Sequence, residues 1–299
     1  MKKQIGLIGL GRMGLNMAIH LVEQGYEVVA TDTDENSRKS AREAGVIVVQ
    51  NLADLVKKLD QPRLVWLMIP SQFVDDVLTE IIPLLDSGDA IIDGGNSFYQ
   101  DSIRRHRSAN ELHIDYLDCG TSGGVSGARK GASLMVGGRA EVFQKHEPVF
   151  KALATQDAYA LVGDAGAGHF VKMVHNGIEY GMMGAIAEGV SLLHDKEDEL
   201  GIDLQSVFKP YEHGSVITSR LVTWLRQAYE EGLIDKIAGV VPKGETESEM
   251  EYLVGLGSLP VLEASLRQRK ETREQPSYLG KLVAAMRNKF GGHQTVDKG

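Results

Sequence analysis

Gln4-Ile-Gly-Leu-Ile-Gly9-Leu-Gly11-Arg-Met-Gly14 decides the fold. Its first half is a short apolar run of the buried-strand kind, and its second half reads Gly-x-Gly-x-x-Gly. Leu15, Ala18, Ile19 and Val22 follow at helical spacing. Tyr26-Glu-Val-Val-Ala-Thr-Asp32 is then a second strand, ending in an acid. A lone glycine triplet says little. Between a strand and a helix, with an acid closing the next strand, it is a dinucleotide-binding fingerprint. Gly9 permits the tight turn, Gly11 lets backbone approach a pyrophosphate, and Gly14 lets the helix pack on the strand. The helix N-terminus then faces the phosphates. Arg12 and Met13 complete the candidate contacts of this turn. Asp32 is expected to accept hydrogen bonds from the adenosine ribose. A 2′-phosphate would meet that carboxylate, with Asp34 and Glu35 close behind and no Arg directly after it. NAD is therefore expected in preference to NADP, with Arg38 the nearest cation.

Strand and helix patterns continue to alternate. Leu64–Pro70 reads as a strand whose end offers Met68 and Ile69 to the cofactor, and Phe73–Leu85 as a helix. Ala90-Ile-Ile-Asp-Gly-Gly-Asn96 is a strand running into a turn, and residues near Ser97–Asn110 form a cation-rich helix. Asp115–Gly120, Ala132–Gly138 and Tyr159–Gly163 are further strands. The alternation implies an α/β, Rossmann-like, doubly wound parallel sheet, with ligands at the carboxyl ends of its strands. Asn96 and Thr121-Ser122-Gly123-Gly124 fall at such ends, where a Gly-Gly turn beside a hydroxyl can cradle a carboxylate.

Gly163-Asp-Ala-Gly-Ala-Gly168 ends the β signal. It divides a dinucleotide-binding domain, 1–164, from an all-α substrate and dimerisation domain with a C-terminal tail, 165–299. His169 to about Asp195 reads as one long helix, and Leu204–Phe208, Ile217–Gln227 and Val261–Arg273 as others. The long helix carries Lys172, His175, Asn176 and Glu179 at offsets of 0, +3, +4 and +7, which is one face over two turns. Phe170, Val171, Met173, Val174 and Ile178 read as core among them. A solvated surface explains any one of the four polar residues. All four, on an otherwise apolar helix, point to polar groups that are paired or used.

Composition excludes other classes. A net charge of −9 and the lack of a Lys/Arg run argue against nucleic acid. The single Cys119 excludes an internal disulfide, and no Cys/His spacing suggests a metal. Arg12, Asn16 and His20 interrupt the leader-like start, and no stretch is apolar enough to span a membrane, so the cytoplasm is expected.

Ile8–Gly14, Ile92-Asp-Gly-Gly-Asn-Ser97, Thr121–Gly124 with Gly127-Ala-Arg-Lys-Gly131, and Lys172-Met-Val-His-Asn-Gly-Ile-Glu-Tyr180 together resemble the 6-phosphogluconate dehydrogenases. These lie within the β-hydroxyacid dehydrogenase superfamily, and the length suits the family's shorter branch. Arg287-Asn-Lys-Phe-Gly-Gly-His293 resembles the family segment that reaches the neighbouring subunit's substrate, and Arg269 a phosphate-binding Arg. Lys243-Gly244 resembles a phosphate-contacting pair. Glu245-Thr-Glu-Ser then replaces the family's usual Gly, basic residue and Trp, and Gly257-Ser-Leu-Pro260 its Gly-Val-Pro.

The resemblance implies oxidation of 6-phosphogluconate at C3 and loss of C1 as CO2, a step of the pentose phosphate pathway needing no metal. Lys172 would be the base and Glu179 the acid, with His175 and Asn176 orienting hydroxyls. Asn96, Ser122, Gly123 and Gly124 would hold the carboxylate end. Tyr180, Lys243, Arg269, Arg287 and His293 would hold the phosphate. A homodimer or higher homo-oligomer follows, its tails shared between sites. Two other readings are a reductase of short 3-hydroxy acids, which needs no phosphate cations, and a nucleotide sensor without turnover.

Overall fold

A computed structural model describes residues 3–244 and 246–298. Met1 and Lys2 of the leader-like start, Glu245 of the departure after Lys243, and Gly299 lie outside them. The chain divides into two compact units, Met1–Lys172 and Met173–Gly299. No helix among the described residues is long and apolar enough to cross a membrane.

The first unit is built on a sheet of eight strands. They are β1 (Gln4–Ile8), β2 (Glu27–Thr31), β3 (Ile47–Val48), β4 (Leu64–Leu67), β5 (Ala90–Asp93), β6 (Asp115–Ser122), β7 (Ala132–Gly137) and β8 (Ala154–Gly163). Their order is β3-β2-β1-β4-β5-β6-β7-β8. Alternate residues feed opposite faces. Ile5, Leu7, Val28, Ala30, Trp66 and Ile92 join one core, and Ile8, Val29, Val65, Leu67 and Ile91 the other. Burial on both faces explains why these strands read as continuous apolar runs.

The sheet is the expected parallel, doubly wound one with one antiparallel pair. Strands β6 and β7 pair antiparallel, Cys119 opposite Val136 and Thr121 opposite Leu134. The connection Gly123–Gly131 holds only the short helix Gly124–Lys130. It is too short for the crossover that parallel neighbours need.

The second unit is helical. It holds most of the helix Ala167–His194, and Leu204–Glu212, Arg220–Glu230, Glu247–Leu256, Pro260–Glu274 and Tyr278–Gly291 are its longer other helices. Its core joins Met183, Ala187 and Val190 to Phe208, Leu225, Leu282 and Met286. The tail is tied down: Ile237 bridges Asp297, and Ala238 N–H donates to Val296 O at 2.8 Å.

A correction concerns the long helix. Met173 is buried, but Val171, Val174 and Ile178 are exposed, Ile178 at 61%. Lys172, Asn176, Tyr180, Met183 and Ala187 take the buried stripe instead. Period alone defines two stripes on a helix; packing decides which one is covered.

Candidate active site

The chain runs from β1 to β2 on one side, and β4 lies on the other. This is the reversal of order at which α/β sheets bind ligands. Gly9 has φ +97°, and a Cβ there would overlap the Met68 carbonyl and lie 2.8 Å from Ile69 Cγ2. A Cβ on Gly14 would collide with the Gly9 carbonyl oxygen. A Cβ built on Gly11 would meet nothing within 4 Å. Gly11 therefore leaves open space at the start of the helix Arg12–Glu23, whose first turn has no acid and no side-chain cap. Arg12 is exposed, whereas Met13 and Met68 pack on the core. These residues fit a dinucleotide pyrophosphate. Asp32 also fastens the glycine loop: its Oδ2 accepts from Leu10 N–H at 2.5 Å and its Oδ1 from Asp34 N–H at 2.7 Å.

Neighbouring strand ends bring Asn96 to the same edge. A Cβ on Gly95 would lie 2.8 Å from the Ile69 carbonyl oxygen, and Asn96 follows, exposed. Beneath this turn lies a buried network that the sequence reading missed. Asp93, fully buried, accepts from Ser97 Oγ at 2.8 Å, Tyr116 Oη at 2.9 Å, Gly95 N–H at 3.2 Å and Arg105 Nη1 at 3.3 Å. Arg105 Nε donates onward to Asp75 at 2.9 Å. The Arg105 hydrogen bond, with Arg104 assisting, pulls the Asp75 carboxyl down to about 2. Burial and the neighbouring Asp93 push the Tyr116 hydroxyl well up. An acid closing an apolar strand was the available signal.

Strand β6 presents Asp118, Gly120 and Ser122 on one face, since side chains alternate along a strand. Asp118, fully buried, accepts from Gly166 N–H at 2.6 Å and His169 N–H at 2.9 Å. It thereby supplies acceptors to the opening turn of the helix Ala167–His194. Gly120 faces Lys172 on that helix. Ser122 is buried, and Gly123 and Gly124 follow with φ +117° and +62°. Asp118 and Gly120 were also missed; a charge inside an apolar strand was the clue.

Lys172 closes the first unit, 8% exposed. The same helix carries His175, Asn176, Glu179 and Tyr180 into the second unit. Asn176 is 7% exposed, and His175 and Glu179 are half-buried. His175 Nδ1 and Asn176 Oδ1 are 3.4 Å apart.

The second unit gathers Tyr180, Arg269 and Arg287. The Arg269 guanidinium lies 3.3 Å from the centre of the Tyr180 ring, and the Tyr180 and Thr246 hydroxyls are 2.9 Å apart. Arg287 Nη1 donates to the Pro242 carbonyl at 2.7 Å. Both arginines are buried, and among the described residues neither forms an ion pair. Burial, reinforced by the charge of Arg287, pulls Arg269 down to about 10; burial lowers Arg287 too.

Arg287, expected to serve a neighbouring subunit's site, is 7% exposed in the single chain. Lys243 is exposed, its charge felt by Glu251; Gly244, beside it, faces Arg287 Nη2. His293 folds back on its own tail, its ring centre 5.9 Å from that of Phe290.

Residues 4–163 match a family model described as the NAD binding domain of 6-phosphogluconate dehydrogenase. Residues 168–231 match the 6-phosphogluconate dehydrogenase C-terminal domain. The chain is 40% identical over 303 residues to the NAD(+)-dependent, decarboxylating 6-phosphogluconate dehydrogenase of Haloferax volcanii, covering 99% of each. Plasmodium falciparum 6-phosphogluconate dehydrogenase, solved apo, with NADP+ and with 6-phosphogluconate, superposes with a TM-score of 0.77 at 30% identity. That match covers 91% of this chain and 63% of that one. Mycobacterium tuberculosis 3-hydroxyisobutyrate dehydrogenase shares the fold, with a TM-score of 0.75 at 22% identity over 96% of this chain and 99% of its own.

Proposed function

The chain belongs to the 6-phosphogluconate dehydrogenase family, and we propose that it converts 6-phosphogluconate to ribulose 5-phosphate and CO2 with NAD. As a member it is an oxidoreductase with an NAD(P)-binding domain. The observation that carries the substrate is the Arg269–Arg287 pair. Two buried guanidiniums that form no ion pair among the described residues ask for an anion, and a sugar phosphate supplies one. A short 3-hydroxy acid has one anionic group, its carboxylate, and once the Ser122–Gly124 turn holds that, it has no second anion for them.

NAD, when bound, accepts the hydride from C3. Lys172 takes the C3 hydroxyl proton, acting as general base from its buried place on the helix. Protonated, it donates to the new keto oxygen while the C1–C2 bond breaks. The electron pair of that bond moves into the enediol and CO2 leaves. Glu179 then delivers a proton to the former C2, the C3 hydroxyl returns its proton to Lys172, and the C2–C3 enediol collapses to the ketone. His175 and Asn176 orient hydroxyls, Ser122, Gly123, Gly124 and Asn96 hold the carboxylate end, and Tyr180, Arg269, Arg287 and His293 serve the phosphate. Lys243 takes a lesser part because it is exposed.

We place the enzyme in the cytoplasm as a homodimer or higher homo-oligomer. The outward stripe of Val174, Ile178 and Met182 on the long helix supports self-association.

The test is purified protein with 6-phosphogluconate and each cofactor, following reduced nicotinamide and CO2 together. Equimolar CO2, with kcat/KM higher for NAD than for NADP, is expected. Reduction without CO2, or turnover confined to unphosphorylated 3-hydroxy acids, overturns the assignment.

A further inference from the structure

Just past Asp32, one carboxylate ties up two arginines. Glu35 opens the helix Glu35–Glu43, which Asp34 caps by accepting from Ser37 N–H at 2.7 Å. Arg38 donates from both Nε and Nη2 to Glu35 Oε2, at 2.9 and 2.5 Å. Its Nη1 donates to the Asp32 carbonyl at 2.6 Å. Arg42 Nη1 donates to the other Glu35 oxygen at 2.8 Å. The Arg38 side chain is only 14% exposed and is held at the end of β2, beside the acid assigned to the adenosine ribose.

A guanidinium grips a phosphate through paired N–H groups along one edge. Glu35 occupies the Nε/Nη2 edge of Arg38. Arg38 lies on the helix after β2 and its guanidinium reaches the end of that strand, where NADP-binding folds use an arginine to hold the 2′-phosphate. We propose that Glu35 is a positioning residue for nucleotide selectivity: it acts through Arg38, withholding that edge from a 2′-phosphate. The proposal rests on the NAD preference and the ribose role of Asp32 given above. Arg42 and Arg38 hold the Glu35 carboxyl below its ordinary range, so the lock stays closed at neutral pH. Asp32 and Asp34 stay in place when Glu35 is removed, so the release is partial.

Exposed ion pairs between helix neighbours contribute little to folding. Glu35→Ala should therefore unfold at the temperature of the wild type. The probes are adenosine 2′,5′-bisphosphate and 5′-AMP, titrated by calorimetry without substrate, followed by kcat and KM with NADP and NAD. The wild type is expected to favour 5′-AMP. Glu35→Ala should gain about tenfold for the bisphosphate, the worth of a charge-assisted hydrogen bond, with 5′-AMP unchanged. With NADP the gain should fall on KM and leave kcat unchanged. Adding Arg38→Met should abolish it.

A wild type that binds both probes equally removes the NAD preference and this proposal with it. A discriminating wild type whose Glu35→Ala variant gains nothing overturns the proposal and leaves the preference standing. A gain that survives Arg38→Met also overturns it, since Glu35 would then act by its own charge.

Discussion

Gly120 on β6 lies face to face with Lys172 on the long helix. A Cβ built on Gly120 would press on Lys172 Cβ, lie 3.1 Å from Lys172 Cγ and sit 2.7 Å from the Gly168 carbonyl oxygen. The lysine stem and the helix backbone both use the space that a missing side chain leaves.

Gly120→Ala is therefore expected to move Lys172. Overpacking of this kind costs about 1–3 kcal/mol of stability. A displacement near 1 Å costs about 10²-fold in kcat. Urea unfolding and steady-state kinetics measure the two, and KM for the cofactor should hold. A variant with wild-type kcat would show that the lysine has slack.

Lys172→Met keeps the volume and removes the base. It should lower kcat by about 10²- to 10⁴-fold while the fold persists by circular dichroism. Glu179→Gln should spare hydride transfer and slow the later proton delivery, so single-turnover kinetics would separate them. Near-normal turnover in Lys172→Met reassigns the base.

Arg269→Met should act on substrate binding. Loss of a charged hydrogen bond to phosphate raises KM for 6-phosphogluconate by roughly ten- to a hundredfold, with a smaller change in kcat. Burial pulls Arg269 down to about 10, still above neutrality. Substrate affinity should thus stay level from neutral pH into the mildly alkaline range and weaken as pH rises towards that value. Unchanged KM would place the phosphate elsewhere.

His146 gives a pH signature. It is buried on the helix Ala140–Leu153, its Nε2 has no hydrogen-bond partner among the described residues, and burial, then Lys145, pull it from 6.5 to about 4. The unfolded chain binds a proton between those values and the folded chain does not. Stability is fully present above the unfolded value and falls with pH until about 4, by roughly 3 kcal/mol at most. Denaturant midpoints from pH 7 to 4 should fall less steeply in His146→Leu. Parallel slopes would exclude His146 as the cause.

Sharing of sites between subunits is tested first at His293, since Arg287 also donates to Pro242 of its own chain. Lys172→Met and His293→Ala chains, refolded together, should regain about a quarter of wild-type activity if His293 acts in trans. About half the dimers are mixed, and each then has one intact site. No recovery, with mixed dimers shown to form, assigns His293 to its own subunit. The same mixture with Arg287→Ala should also recover about a quarter if the whole tail acts in trans, and nothing if Arg287 serves its own subunit.

Local chemistry made much of this protein legible in its sequence. Gly9, Gly11, Gly14 and Asp32 are read within one strand-turn-helix-strand unit, where spacing alone fixes the geometry. The offsets from Lys172 to Glu179 fix one helix face in the same way. What spacing cannot give is the partner of each face. Val171, Val174 and Ile178 read as core, yet packing covers the stripe of Lys172, Asn176 and Tyr180. The antiparallel turn of β7, the anchoring of the helix by Asp118 and the fit of Gly120 to Lys172 join residues far apart in the chain. So do Asp93 with Arg105 beneath Asn96, and Arg269 with Tyr180. Such pairs exist only once the backbone has closed, because close packing and satisfaction of buried polar groups act through space and leave no period in the sequence.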